Sequence, residues 1–415
     1  MTSDSSAPTD SGYAWLRLAA SLGLTTVGSA VMYVCMVGLP AYQFTFAVDR
    51  ADASLPYTYV MLGFGLGGMV IGRLVDRYGI VRPLLFSAII LSVVFFAAAR
   101  AESYAAFALL HAVAGACGCA AVFSPLLADI SRWFVRRRGF AIAVCASGNY
   151  LAGTLWPPLI DVLINDHGWR AAYEAFGWIS ATLMLPLLLA LRRPAPQSEA
   201  AAHSGGSHGS PASLGMSSAR LTILLSVAGI GCCTAMAMPQ AHVVALTVDL
   251  GFSASNGAEM LTLMFGFGIV SRLAFGWLSD RIGGLATLWI GSTLQCAALL
   301  IFLPADGLQT LYVASALFGL FQGGIVPCYA LIVREFFPEQ QAGTRTGVIV
   351  FATLVGMAFG GWASGAIHDL TGSYDLAFLH SMGWNVVNMT IIGMLWLRAR
   401  AQPLTHVSPG GTRTA

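Results

Sequence analysis

The sequence predicts an all-α membrane protein of twelve transmembrane helices, arranged as two pseudo-symmetric six-helix bundles. Three observations lead there. Of the 415 residues, 57% are hydrophobic and only 10% are charged, against about 25% charged in an ordinary soluble domain, and the mean hydropathy is +0.73. The apolar residues fall into twelve stretches able to cross a bilayer core, which takes about 20 helical residues each. A polar stretch then divides the twelve into six and six.

Cutting the chain where charges and Gly/Pro clusters interrupt the apolar runs places the spans at 17–44, 54–73, 83–100, 104–128, 139–163, 171–191, 219–246, 257–278, 284–303, 308–333, 344–366 and 375–397. Residues 1–16 form an N-terminal tail. Met1 to Asp10 lacks a basic start, and the apolar run that follows is too long for a signal-peptide core, so it is expected to remain as the first span. Residues 192–218 include PAPQSEAAAHSGGSHGSPASLG, the composition of a flexible linker. The expected domains are therefore 17–191 and 219–397, with a C-terminal tail at 398–415. His203 and His208 in the linker are too few and too loosely held to read as a metal site.

The net charge of +2 gives no reason to expect nucleic acid as a partner. All 21 basic residues are arginine. Their distribution orients the chain, because short cytoplasmic loops retain positive charge. With the N-terminus inside, seventeen arginines are cytoplasmic and only Arg50, Arg100 and Arg170 face out, leaving Arg272 within a span. An even number of spans puts both termini in the cytoplasm, and a cell inner membrane is the expected location. The eight cysteines all lie in apolar stretches without C-x-x-C spacing, so they read as reduced packing residues and no metal or other cofactor is expected.

The loop between spans 2 and 3 reads Gly72-Arg73-Leu74-Val75-Asp76-Arg77-Tyr78-Gly79, and the equivalent loop of the second half reads Gly276-Trp277-Leu278-Ser279-Asp280-Arg281-Ile282-Gly283. The shared G-x-L-x-D-R-x-G suits a tight turn. Glycine lets two helices approach, and the Asp can meet a helix N-terminus or an arginine across the bundle. A second echo pairs Asp129-Ile130-Ser131-Arg132-Trp133-Phe134 with Arg334-Glu335-Phe336-Phe337. Parallel repeats of this kind build one large transporter class, with substrate near the midplane between the halves.

These paired loops resemble the signature of the major facilitator superfamily, and the resemblance covers about the whole chain. Arg132-Trp133-Phe134 followed by Arg136-Arg137-Arg138-Gly139-Phe140-Ala141 resembles the R-W-F-x-x-R-R-G-x-A pattern of its monocarboxylate and oxalate:formate carriers. Asp10-Ser11-Gly12-Tyr13-Ala14-Trp15 is a looser match to the acidic, glycine-rich stretch before their first helix. The resemblance implies a secondary active transporter that moves a small organic solute, here a monocarboxylate anion, by alternating access between the bundles. A proton or a counter-anion is the implied coupling partner. Gly72, Asp76, Arg77, Asp129, Arg132, Gly276, Asp280 and Arg281 lie at the cytoplasmic edge and are expected to serve in gating, without touching substrate.

Arg272 is the leading candidate for substrate contact. It lies eight residues before Asp280, about 12 Å into the membrane at 1.5 Å per residue. A charge at that depth costs from about 3 to more than 10 kcal/mol unless it faces water and finds a partner. The carboxylates of the sequence fall at one face or the other, none at matching depth, so the missing partner is expected to be the carboxylate of the substrate. The alternative is an arginine that snorkels to the surface or caps backbone carbonyls. Oxalate:formate carriers add a lysine on span 11, where this chain has no cation between Gly347 and Gly356. Animal monocarboxylate carriers add a lysine near the end of span 1 and an aspartate one turn before the arginine, where this chain has Ala41 and Gly268.

Asn149, Gln322, Tyr33, Tyr150 and His242 are the further substrate-binding candidates, each with interhelical hydrogen bonding as its alternative. His242 and His111 are the groups on which proton coupling would depend, unless the proton travels on the substrate; anion exchange would need neither. An efflux carrier of amphipathic or neutral compounds, with Arg272 structural, is the competing transport reading. A membrane-embedded enzyme would need a cluster such as H-E-x-x-H or paired carboxylates at one depth, and ATP drive would need a G-x-x-x-x-G-K-[ST] loop. The sequence contains none of these. A sensor would be expected to carry an appended soluble domain, for which the termini are too short.

Overall fold

The computed structural model describes residues 9–193 and 214–401. Most of the expected linker, with His203 and His208, lies outside the described residues, as do the outermost ends. The described residues form helices and short turns, with no strand among them.

Among the described residues, ten helical spans are long and apolar enough to cross a membrane: Gly12–Phe46, Arg50–Tyr78, Val81–Ala99, Tyr104–Trp133, Trp169–Leu189, Ser218–Asp249, Ala254–Ile282, Gly284–Phe302, Leu308–Phe336 and Gln340–Thr371. They are spans 1 to 4 and 6 to 11. Span 5, made of Arg138–Ala146 and Gly148–His167, and span 12, Asp375–Ala401, complete the twelve. Asn149, Asp161 and Asn165 in the former, and His380, Asn385 and Asn388 in the latter, dilute their apolar character. Several helices overrun their apolar stretches; span 11, expected at 344–366, belongs to a helix running Glu339–Thr371. Hydropathy marks the hydrocarbon slab, whereas helical hydrogen bonding continues into the interface.

The spans bend where their sequence permits it. Span 1 breaks at Ser29 and span 5 at Ser147, span 10 opens at Gly323 and Gly324, and spans 4 and 6 carry π-helical turns at Gly115–Ala120 and Ser180–Met184. Each break frees backbone groups that must find partners inside the protein, because lipid offers none.

The internal repeat extends to close helix contacts. A Cβ on Gly115 of span 4 would lie 2.2 Å from the carbonyl oxygen of Val60 on span 2. In the second half, a Cβ on Gly319 of span 10 would lie 2.0 Å from that of Met264 on span 8. Both members of the second pair stand 204 positions after their counterparts. The motif turns match too: Gly79 has φ 75° and ψ 169°, and Gly283 has φ 82° and ψ 163°, a conformation essentially reserved for glycine.

The bundles meet along spans 2 and 11 and along spans 5 and 8. With twelve crossings, the start of span 1 and the end of span 12 lie on one face of the protein, the terminal face. Toward the opposite face the halves are in tight contact. Gly361 of span 11 packs on the Tyr57 ring and Gly365 on Ala51, and Thr58 donates to the Ala358 carbonyl at 3.1 Å. Toward the terminal face, Gly68 and Gly72 of span 2 and Gly343 and Gly347 of span 11 have open space where a Cβ would stand. Among the described residues, no ion pair joins the halves between Arg272 and the terminal face. The bundles thus diverge toward that face.

Candidate functional site

The midplane contact between the halves is aromatic. Phe265 of span 8 seats on Gly153 of span 5, where a Cβ would be 2.4 Å from its ring. There it meets Tyr33 of span 1 and Tyr150 of span 5 edge-on, with ring centroids at 5.0 and 5.5 Å. The Tyr33 hydroxyl lies 2.7 Å from both the backbone oxygen and Oδ1 of Asn149. Asn149 is itself only partly buried. Phe265 and Gly153 carried no sequence signal, because an aromatic on an apolar helix reads as packing until its partner is known.

Arg272 stands beside this cluster and binds the breaks in two helices. Its Nη1 donates at 2.9 Å to the Ala146 carbonyl, freed where span 5 breaks, and its Nε lies 3.4 Å from the Gly323 carbonyl, freed where span 10 opens. The guanidinium carbon sits 4.3 Å over the Tyr150 ring, a cation–π contact worth about 0.5–2 kcal/mol. Arg272 is partly exposed, and among the described residues it has no carboxylate partner. Carbonyl dipoles orient the group without neutralising it. By the repeat, its counterpart in span 2 is Gly68, so the two halves differ in charge at this depth.

Gln322 immediately precedes Gly323. Its Oε1 accepts from Gln240 Nε2 of span 7 at 2.8 Å, while its own Nε2 and Gln240 Oε1 are buried without partners. Tyr33, Asn149, Tyr150, Gln322 and Arg272 therefore gather around the kinks of spans 5 and 10 and the Phe265 contact. His242 stands apart, bonded through Nε2 to the Gly361 carbonyl at 2.7 Å and through Nδ1 to the Tyr374 hydroxyl at 3.0 Å. His111 is sealed in the first bundle, 2.7 Å from both the Phe107 carbonyl and the Tyr173 hydroxyl.

The residues expected in gating divide by environment. Asp76, Arg77, Asp280 and Arg281 are exposed at the terminal face, and Arg281 stacks 4.0 Å over Trp277. Gly72 and Gly276 have nothing within 4 Å of a Cβ position. Asp129 lies inside the first bundle, buried against Arg17 at 2.6 Å, with the exposed Arg132 at 3.5 Å.

Comparison with known proteins agrees with this architecture. The sequence pattern of the Major Facilitator Superfamily matches residues 21–238 and 223–414. Monocarboxylate transporter 13 of Rattus norvegicus is 26% identical over 382 residues, covering 90% of this chain and 86% of that protein. The agnestins efflux protein AgnL12 of Paecilomyces divaricatus is 25% identical, covering 80% and 78%. In three dimensions the chain resembles a bacterial homologue of the human lysosomal transporter Spinster, solved inward-facing and unoccupied. The TM-score is 0.72 at 15% identity, over 94% of this chain and 98% of that one. With two matching six-helix halves and this family pattern along nearly its whole length, the chain belongs to the Major Facilitator Superfamily and is a multi-pass membrane transporter, not an enzyme.

Proposed function

We propose that this transporter carries a small monocarboxylate anion by alternating access across a cell inner membrane, with both termini in the cytoplasm. The observation that carries the reading is Arg272, a cation near the midplane held by two carbonyls and an aromatic face, partly exposed and without a carboxylate partner among the described residues. A bound carboxylate would supply the missing charge through hydrogen bonds to the guanidinium. Tyr33, Asn149, Tyr150 and Gln322 surround the same region and would position the rest of the solute. One cation suits one carboxylate; span 11 brings Phe351 and Leu354 to Gly65 where a second cation would be needed for a dicarboxylate.

The contacts of the histidines bear on the coupling partner. One proton on each ring satisfies both contacts of His111 and of His242, so neither has a role left open for a moving proton. That favours anion exchange, or a proton that crosses with the substrate. The buried aromatic cluster of Tyr33, Phe265 and Tyr150 beside Arg272, which an opening of the contact between spans 5 and 8 would uncover, supports a second reading, efflux of an amphipathic compound with Arg272 serving only to tie the two kinks.

Purified protein in liposomes, offered radiolabelled small carboxylates with and without an imposed pH gradient, tests both. Saturable uptake that Arg272→Gln abolishes supports the anion site. Uptake that survives Arg272→Gln, or no carboxylate uptake at all, leaves the efflux reading.

A further inference from the structure

On the side opposite the terminal face, the halves are joined by a charged cluster that no sequence motif marks. Arg50, at the start of span 2, reaches across to Asp249 at the end of span 7, with Nη2 2.7 Å from Oδ1 and 3.1 Å from Oδ2. Asp369, near the end of span 11, accepts in turn from the backbone N–H groups of Arg50 and Ala51 at 2.8 and 2.7 Å. These are free donors at the N-terminus of the short helix Arg50–Ala53. His368 lies beside the two carboxylates of the second half, with Nε2 3.2 Å from Asp249 and Nδ1 3.8 Å from Asp369. The Tyr374 ring lies 5.9 Å below the Arg50 guanidinium, and Tyr374 is bonded to His242.

We infer that Arg50, Asp249 and Asp369 form the gate that closes this mouth of the transporter, with Gly361 and Gly365 as the flat surface on which it shuts; the inference rests on alternating access. The cluster links one element of the first half to two of the second, so opening this mouth must break all of its cross-half bonds together. Its bonding is also incomplete. Arg50 is buried, with only 8% of its side chain exposed, and its Nε and Nη1 have no partner. Burying those donors offsets part of the attraction, since the desolvation of an ion pair rivals its Coulombic gain. Opening returns the guanidinium to water, so the closed state is held without being locked. No counterpart of the cluster joins the halves at the terminal face among the described residues. Its integrity accompanies the divergence of the bundles there.

The test is electron–electron distance measurement on the full chain, its native cysteines replaced, with spin labels at Glu102→Cys and Asp306→Cys on the gated face. A second pair at Val135→Cys and Gln340→Cys reports on the terminal face. Arg50→Gln and Asp249→Asn should each lengthen the first distance and shorten the second, raising the gate-open population on the order of tenfold, and the double variant should add little to either. Gly365→Leu, whose side chain would meet Ala51 and the Arg50 carbonyl, should produce the same shift without altering charge. The inference is overturned if Arg50→Gln leaves both distances unchanged, whatever Gly365→Leu does, or if both distances broaden together as in general loosening. The measurement needs no substrate, so failure of the carboxylate reading would leave its outcome intact.

Discussion

Arg17 and Asp129 form a two-point ion pair inside the first bundle: Nε lies 2.6 Å from Oδ2 and Nη2 lies 3.0 Å from Oδ1, with both side chains 1% exposed. The same guanidinium donates to the Arg193 carbonyl at 3.0 Å and sits 4.7 Å over the Trp133 ring. Span 1, span 4 and the end of span 6 are thus tied at one point. The Asp10 carboxylate adds to the tie by accepting from the backbone N–H groups of Val135 and Arg136 at 3.2 Å. Asp129→Asn should cost about 3–5 kcal/mol by leaving a buried charge without its partner. Thermal unfolding in detergent would show the loss, while the distance between spin labels on the two halves should stay unchanged in the protein that remains folded.

Arg272 should not tolerate the usual charge-conserving exchange. Lysine keeps the charge but cannot reach two carbonyls and stack on Tyr150 at once, because its ammonium is a single point on a flexible stem. Arg272→Lys is expected to raise the KM for a carboxylate by about 10–150-fold, the equivalent of one lost charge-assisted hydrogen bond. Arg272→Gln should abolish saturable uptake. Initial-rate measurements in liposomes against substrate concentration separate the two.

The motif glycines should differ among themselves. Gly283→Ala and Gly79→Ala place a Cβ on backbone with φ of 82° and 75°, at about 1–3 kcal/mol each. Gly276→Ala meets no atom within 4 Å and lies inside a helix, so it should leave stability unchanged or raise it slightly. Thermal shift of the three variants side by side checks the order.

Neither buried histidine should govern coupling. His111 and His242 each use both ring nitrogens in contacts that a single proton satisfies. His111→Gln and His242→Gln should therefore leave the ratio of uptake with and without a pH gradient unchanged, even where they lower the amount of folded protein. A gradient response lost in either variant would return the proton to that histidine.

The sequence by itself determined what depends on solvent and on local chain geometry. Apolar stretches of bilayer length define twelve helices, the repeated G-x-L-x-D-R-x-G places two glycine turns, and the distance from Asp280 places Arg272 deep in its span. Each of these is a property of a segment against its surroundings. Only the tertiary structure decided who meets whom. Arg50 finds Asp249 across 199 positions and Asp369 across 319, Arg17 finds Asp129 across 112, and Gln240 finds Gln322 across 82. One signal for the first was present, since Arg50 is one of only three arginines placed against the positive-inside trend. Its partners were not legible, because hydropathy and spacing set the depth of a residue in the membrane but leave the rotation and neighbours of its helix to packing among the twelve.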